Sequence, residues 1–280
     1  KGTLTFDASI QGSRSEPRMT VVTGEARGSD LSFVTADFPH PVEQCNLALT
    51  FRGKDFSIQS IDLKLGENPL HIEGKLQGWD GMRGDITIQS DFLDLSDLIF
   101  PGITAYLSQK PKRFQQGIGS NEGTASSAWR EGAGRFMEKS DIHLDITASR
   151  GRWEGFPYGA LKMECALRFG DLYITRSSAA WEHGKLLLRG HVKRGKSPEM
   201  LFSGYIDMTR QPLGELPPSL DFISSRADGL LTLEALLFAK GGNRENLVSS
   251  LTGSVNVLLD QCVLKKSNVF IKILDFLSLQ

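Results

Sequence analysis

The feature that most constrains this chain is an alternation of apolar and polar residues with a period of two, repeated in segment after segment. It is clear at Leu70-His71-Ile72-Glu73-Gly74-Lys75-Leu76, and turn signals such as Phe169-Gly170-Asp171 separate such segments. Strands of this kind present one apolar and one wet face, which is typical of antiparallel sheets. The pattern predicts an all-β dominated fold: an elongated, curled antiparallel sheet, groove-like or sandwich-like, with few short helices.

A weak internal repeat supports this architecture. An offset of 116 residues places 47–51 on 163–167, 55–58 on 171–174 and 70–74 on 186–190, with alternation, turn Asp and strand-end Gly all in phase. Self-similarity at a fixed offset indicates that one β unit occurs twice.

These patterns divide the chain into three predicted parts. We expect a first β-groove unit at 1–98 and a second at 140–280. Between them the alternation breaks, and 99–139 is predicted to be an insertion made of a helix plus a flexible loop. The second unit is predicted to end in an amphipathic helix, Asn268–Leu279, because its apolar residues recur at helical spacing.

Charge and cysteine content narrow the function classes. The chain has 32 Lys and Arg against 33 Asp and Glu, a formal net charge of −1, which argues against a nucleic-acid partner. Its three cysteines are too scattered for a disulfide scaffold or a zinc site, and its five histidines lack metal-ligand spacing. No apolar run reaches the roughly 18 residues of a transmembrane helix. We therefore expect no enzyme, no cofactor and no metal site.

Two motifs could suggest chemistry. Gly190–Ser197 satisfies the phosphate-binding pattern G-x-x-x-x-G-K-[ST], but Pro198 and an alternating segment follow where a helix is required. We interpret it as a basic hairpin turn without nucleotide. Asp91, Asp94 and Asp97 could suggest a hard-metal cluster, but apolar residues interleave with them, which favours a strand that ends in a helix cap.

Four segments occur in the same order as in a known protein family. They are a Pro-strand-Gly segment at 41–53, a Gly-Glu-Asn-Pro hairpin at 65–76, a strand-to-helix exit at 90–98, and the ending 251–257 followed by 268–277. Together they resemble the C-terminal region of the AsmA-like family of Gram-negative envelope proteins. The resemblance covers roughly residues 31–98 and 140–280, and Glu182 departs from it where the first copy has Gly66.

This resemblance implies a function. AsmA-like proteins are anchored in the inner membrane by an N-terminal helix and extend a β-rich body with an apolar concave face into the periplasm. It therefore implies a non-enzymatic, periplasmic lipid-binding segment, with an upstream membrane anchor, that contributes to phospholipid transport and outer-membrane biogenesis. Its partners would be phospholipid acyl chains. The candidate groove lining is Leu47, Leu49, Phe51, Leu70, Ile72, Leu76, Met163, Leu167, Leu172, Ile174, Leu186, Leu188, Val255 and Val257.

Two alternatives remain open at this point. One is a structural or interaction β module of envelope assembly, with a closed core and no lipid. The other, more remote, is a glycan-processing or glycan-binding β protein. Groove lining and closed core use the same apolar residue types, so the sequence does not separate the first two readings.

Overall fold

A computed structural model describes residues 1–13, 16–34, 40–78, 81–95, 138–153, 155–180, 184–194, 200–216, 227–241 and 244–264. The helix expected at Asn268–Leu279, and nearly all of the insertion expected at 99–139, lie outside these residues.

The described chain is built almost entirely of strands. In chain order these are β1 (Thr3–Ser13), β2 (Glu16–Phe33), β3 (Val42–Arg52), β4 (Asp55–Leu65), β5 (Asn68–Gln77), β6 (Arg83–Asp94), β7 (Asp141–Trp153), β8 (Phe156–Tyr158), β9 (Leu161–Arg168), β10 (Asp171–Ala180), β11 (Lys185–Arg194), β12 (Met200–Pro212), β13 (Ala227–Gly241) and β14 (Thr252–Leu264). A 3-10 turn, Leu213–Glu215, follows β12, and a short helix, α1 (Arg244–Ser249), precedes β14.

All fourteen strands belong to one curled sheet that does not close on itself. Neighbours in the chain are neighbours in the sheet, from β1 at one edge to β14 at the other, with β8 paired on the side to β7. Every pair is antiparallel except β6 with β7, which run parallel. This confirms the predicted fold class, with one parallel pair that the alternation did not reveal.

The parallel pair explains why the alternation breaks where it does. Two parallel neighbours need a crossover connection of about a dozen residues or more, because the chain must return to the edge from which it started. The break expected at 99–139 lies between the end of β6 and the start of β7. It is therefore the place where this sheet requires a long connection.

The internal repeat is present in the strand pairing. β3, β4 and β5 correspond to β9, β10 and β11, and both copies contain the same bulge. In β4 the bulged residue is Gln59, which has no partner in β3; in β10 it is Thr175, which has none in β9. These two residues are 116 positions apart, so the repeat extends to an irregularity that alternation alone cannot specify.

The strand ends form two different rims. The first, which we call the packed rim, lies where β4, β6 and β12 end and β3 and β9 begin, and it contains much of the buried core. Val42, Leu65, Leu93, Leu161 and Leu213 are buried there. The opposite strand ends form the open rim, which includes the β3–β4 turn at Gly53 and the β9–β10 turn at Phe169.

A buried polar network fixes the packed rim. Asn68 accepts a hydrogen bond from the backbone N–H of Asp94 at 2.5 Å and donates one to the carbonyl of Leu65 at 3.0 Å. The buried carboxylate of Asp94 pairs with Arg152, whose guanidinium also contacts Glu67 at 3.0 Å. Buried polar groups must be paired in this way, because an unsatisfied one costs about 1–3 kcal/mol.

Candidate functional site: the apolar face of the sheet

One row of directly paired residues crosses the whole sheet without a charge. We call it the Ile72 row, and it consists of Leu4, Gly28, Leu47, Ile61, Ile72, Ile88, Ile146, Met163, Ser177, Leu188, Ile206, Ala235 and Val255. Residues paired across strands point to the same face, so these side chains form a continuous band. Ser177 is its one member with a polar side chain.

Three further rows lie beside it on the same face. The Ile174 row is Phe6, Ala26, Leu49, Ile58, Gly74, Ile86, Leu144, Cys165, Ile174, Gly190, Gly204, Leu237 and Gly253. The Phe51 row is Ala8, Gly24, Phe51, Phe56, Leu76, Gly84, Ile142, Leu167, Leu172, Val192, Phe202 and Ala239. The Leu186 row is Ala148, Leu161, Ala179, Leu186, Met208, Leu233 and Val257. None of these rows contains a charged residue, and together they define the apolar face.

All fourteen residues predicted from the sequence as groove lining fall on this one face. Thirteen belong to the four rows, and Leu70 lies beside them, paired with Leu63 of β4. Leu70, Leu76 and Met163 are buried, at 7–9% exposure. The remaining candidates are half-buried or, at the last strand, exposed. The structure therefore brings the predicted set together, and whether it binds lipid stays a prediction.

The apolar face is most open at its two ends. Leu4 and Phe6 on β1 are 63% and 66% exposed, and Val255 on β14 is 40% exposed. Phe6 stacks on Phe51 of β3 with ring centroids 5.5 Å apart. That contact passes over Gly24 of β2, where an added Cβ would come within 2.7 Å of the Phe51 ring. The aromatic surface thus continues across β2 because glycine leaves room for it.

No second sheet covers this face within the described part of the chain. The two-sheet sandwich that the sequence left open is absent there, since all described strands lie in one sheet. Closure is local instead: near the packed rim, curling brings Val42, Cys45, Leu93, Leu161 and Ala179 into one buried cluster. The face therefore combines a closed margin at the packed rim with an open surface elsewhere.

The opposite, polar face carries one notable cluster of titratable groups. The His71 ring contacts Asp62 at 2.6 Å through Nδ1 and Glu73 at 3.1 Å through Nε2. Hydrogen bonds that the His71 ring donates to these carboxylates, first to Asp62 and then to Glu73, raise the pKa of His71. All three side chains are exposed, so these ion pairs contribute little to stability.

Two cysteines on the apolar side are chemically quiet. Burial, together with the charge of Asp145, raises the pKa of Cys165 to about 11. Burial, with a contribution from Asp62, also raises the pKa of Cys45. A thiol reacts as its thiolate, so both residues behave as small apolar groups near neutral pH.

The described parts of the motifs that suggested other chemistry belong to strands. Residues 190–194 of the phosphate-loop pattern are part of β11, whereas the pattern needs a loop before a helix; 195–199 lie outside the described residues. Asp94 is used in the ion pair with Arg152, Asp91 is exposed on β6, and Asp97 lies outside the described residues. In the part of the chain that the structure describes, no three His, Cys, Asp or Glu residues could hold a metal ion.

Comparisons with known proteins leave the family open. No family model, curated protein or solved structure matches this chain. None of the helices described by the structure is long and apolar enough to cross a membrane. The resemblance to AsmA-like proteins therefore stays a prediction.

Proposed function

We propose that this chain is a non-enzymatic, periplasmic segment of an inner-membrane-anchored AsmA-like protein. It binds acyl chains along the apolar face and contributes in this way to phospholipid transport and outer-membrane biogenesis. The observation that carries the proposal is the Ile72 row, which crosses the sheet from β1 to β14 without a charged residue. A row that served only to stabilise an isolated sheet would not need to stay apolar at both exposed ends.

The dimensions of the apolar face suit lipids. The thirteen strands on the main path of the sheet span about 58 Å at roughly 4.8 Å per strand. Along the strands, four rows two residues apart cover about 20 Å. An acyl chain fills about half of the roughly 30 Å hydrocarbon core of a bilayer, so one chain fits along a strand. Several lipids could lie side by side across the sheet.

The driving force is the removal of apolar surface from water. Each Å² of apolar area covered contributes about 25 cal/mol. Half-buried side chains such as Leu47, Ile72 and Leu188 still offer some area for an acyl chain to cover. An exposed apolar face of this extent marks a binding surface.

Photo-crosslinking from the two faces tests the proposal. The photoreactive amino acid p-benzoylphenylalanine at Leu188 should capture phospholipid from membranes. At Leu236, an exposed residue of the polar face between Tyr205 and Ser254, it should not. Mass spectrometry of the crosslinked protein identifies the adduct. Equal capture from the two faces, or no lipid adduct at Leu188, would contradict acyl-chain binding.

The closed margin at the packed rim favours a second candidate, a structural β module of envelope assembly. Other residues of the chain bury Leu93 and Leu161 there, so that part of the face has no area left for a lipid to cover. If this reading applied to the whole face, the protein would purify without lipid and Leu188 would capture none. The same crosslinking experiment therefore separates the two functions.

A further inference from the structure

Two adjoining cavities lie on the open rim, at the β3–β4 and β5–β6 turns and near the start of β7. The first, of about 550 Å³, is lined by residues of the β3–β4 and β5–β6 hairpin ends. The second, of about 680 Å³, continues along the rim toward the start of β7 and the β9–β10 turn. Gln77 and Arg83 line both cavities, so the two form one continuous depression.

Positive charge converges on this depression. Arg52, Lys75 and Arg83 line the first cavity, and Lys54 and Lys139 join Arg83 in the second. The carboxylates that line them are Asp55, which accepts a hydrogen bond from Gln77 at 2.8 Å, and Glu138. The five cations thus face two acids.

These five cations are not used to hold the fold together. None of them forms a salt bridge with another residue in the described part of the chain. Other arginines are paired: Arg152 with Asp94 and Glu67 at the packed rim, and Arg168 with Asp141, 3.4 Å away, at the open rim. The open rim therefore has unneutralised charge that an anion could pair with.

Apolar residues alternate with these cations along the strands, so the two sets belong to opposite faces of the sheet and meet at the rim. Phe51, Phe56 and Leu76 of the Phe51 row also line the first cavity. The two phenylalanine rings are neighbours, with centroids 6.4 Å apart. A ligand suited to this boundary has an anionic group joined directly to an apolar chain.

A third cavity farther along the open rim provides a second observation. This cavity, of about 350 Å³, is lined by His191, Lys193 and Lys240 together with Phe202 of the Phe51 row. His191 lies 116 residues after Lys75. Its ring stacks on Tyr173 with ring centroids 4.1 Å apart, and its Nε2 lies 3.7 Å from Asp171. Basic cavities thus occur at two places along the open rim.

We infer that the open rim binds the phosphate of phospholipid headgroups while their acyl chains lie on the apolar face. The Arg52–Lys75–Arg83 group is the principal phosphate site, and guanidinium groups suit it because they can donate two parallel hydrogen bonds to one phosphate. The inference rests on the proposed function and names its ligand class: lipids with a phosphate, and most strongly those whose headgroup is net anionic.

Neutralising the three cations of the principal site distinguishes the contribution of the headgroup to lipid binding from that of the acyl chains. The test variant is Arg52→Gln/Lys75→Gln/Arg83→Gln, and the matched control is Lys64→Gln/Arg150→Gln/Lys162→Gln, three exposed cations nearer the packed rim. Both remove the same charge. Thermal melting confirms that both fold, as expected for exposed side chains. Each protein is loaded from detergent micelles with dioleoyl phosphatidylglycerol or with dioleoylglycerol, which has the same chains and no phosphate.

The rim variant should retain about 3- to 150-fold less phosphatidylglycerol than the wild type, as expected for the loss of three exposed ion pairs. It should retain dioleoylglycerol within twofold, and the control variant should change neither. Higher salt should weaken wild-type retention of phosphatidylglycerol more than that of dioleoylglycerol.

The other outcomes are distinct. If the wild type retains neither lipid, the proposed function itself fails. If it retains both and the rim variant loses both equally or neither, the headgroup inference fails and acyl binding stands. Inorganic phosphate, added as the free anion in calorimetry, provides a further arm. The rim variant could abolish phosphate binding and leave lipid retention unchanged. The rim would then be an anion site that does not bind lipid headgroups, which also overturns the inference.

Discussion

Ile72 and Leu188 occupy equivalent positions in the two copies of the repeated unit. The preceding strand, β4 or β10, contains the bulge in each copy. After that bulge the pairing resumes at Ile61 with Ile72 in the first copy and at Ser177 with Leu188 in the second. Ile72 and Leu188 both belong to the Ile72 row, and both are half-buried. Each copy therefore presents an apolar side chain at the same place on the apolar face, which makes this pair the sharpest probe of an open groove.

We expect Ile72→Asp and Leu188→Asp to lose bound lipid while keeping most of their melting temperature. A carboxylate that faces acyl chains costs about 2–3 kcal/mol, as at a bilayer centre. This corresponds to a loss of lipid occupancy of roughly 30- to 150-fold. In the lipid-free protein the new carboxylate stays hydrated, so folding suffers little. Native mass spectrometry and thermal melting measure the two effects.

The matched control for this pair is Leu236→Asp, which makes the same kind of change on the polar face. It should change neither lipid content nor melting temperature by much, because Leu236 is already 43% exposed. If Ile72→Asp and Leu188→Asp unfold or fail to express while Leu236→Asp is normal, those positions belong to a closed core. Burying a charge among packed side chains costs several kcal/mol, so the two readings give opposite results.

The phosphate-loop pattern should be inert. Residues 190–194 are paired along their length with β12, so their N–H groups are not gathered around a phosphate. Lys196→Ala should leave melting temperature and lipid retention unchanged, and calorimetry should detect no ATP binding to the wild type. Micromolar binding of ATP that Lys196→Ala abolishes would show that the pattern is functional.

The apolar face could be predicted from the sequence because its signal is local. Alternation places Leu70, Ile72 and Leu76 on one side of a strand whatever the neighbouring strands are, and the 116-residue offset aligns them with Leu186 and Leu188. Members such as Ile88 and Ile206 carry the same signal, although they were not among the fourteen candidates. Their strands, β6 and β12, alternate in the same way.

What could not be predicted depends on contacts between distant segments. The parallel pairing of β6 with β7 leaves no trace in either strand alone, because alternation is the same in both orientations. The pairing of Asp94 with Arg152 joins residues 58 positions apart, and in the sequence Asp94 lay in a segment interpreted as a strand that ends in a helix cap. The cationic open rim is likewise assembled by the turns, from residues that look like ordinary solvated charges in a chain of net charge −1.

Arg152→Gln should destabilise the fold by about 3 kcal/mol, because it removes the guanidinium that pairs with the buried carboxylate of Asp94. The value lies at the lower end of the range for buried pairs, since the Arg152 side chain is 42% exposed. Urea unfolding measures the change. Arg150→Gln, an exposed arginine of the same strand, is the control and should stay within about 0.5 kcal/mol of the wild type.

A second substitution tests whether the loss of stability comes from the ion pair between Asp94 and Arg152. Adding Asp94→Asn to Arg152→Gln removes the unpaired charge and should restore a substantial part of the lost stability. If the double variant is less stable than Arg152→Gln alone, the loss comes from packing of the guanidinium, which also lies 5.8 Å from the Phe92 ring centroid. The ion pair would then have no special role at the packed rim.

The stability of the protein should fall at alkaline pH through Cys165. Burial raises the pKa of this thiol to about 11, whereas an exposed cysteine has a pKa of about 8.5. Between these values the unfolded chain has released the proton and the folded protein still holds it, so the free energy of unfolding decreases as pH rises. The contribution is fully present below about pH 8.5 and is lost as pH rises through about 11.

Cys165→Ala isolates this effect, because all other titrating groups are shared with the wild type. Urea unfolding at pH 7.5, 9 and 10.5 should show the wild type losing more stability than Cys165→Ala over this range. Alkylation of Cys165 by iodoacetamide, followed by mass spectrometry, should be slow at pH 8 and should accelerate toward pH 11. Parallel stability curves for the two proteins, together with rapid alkylation at pH 8, would show that Cys165 is solvated and that the apolar face is open at that point.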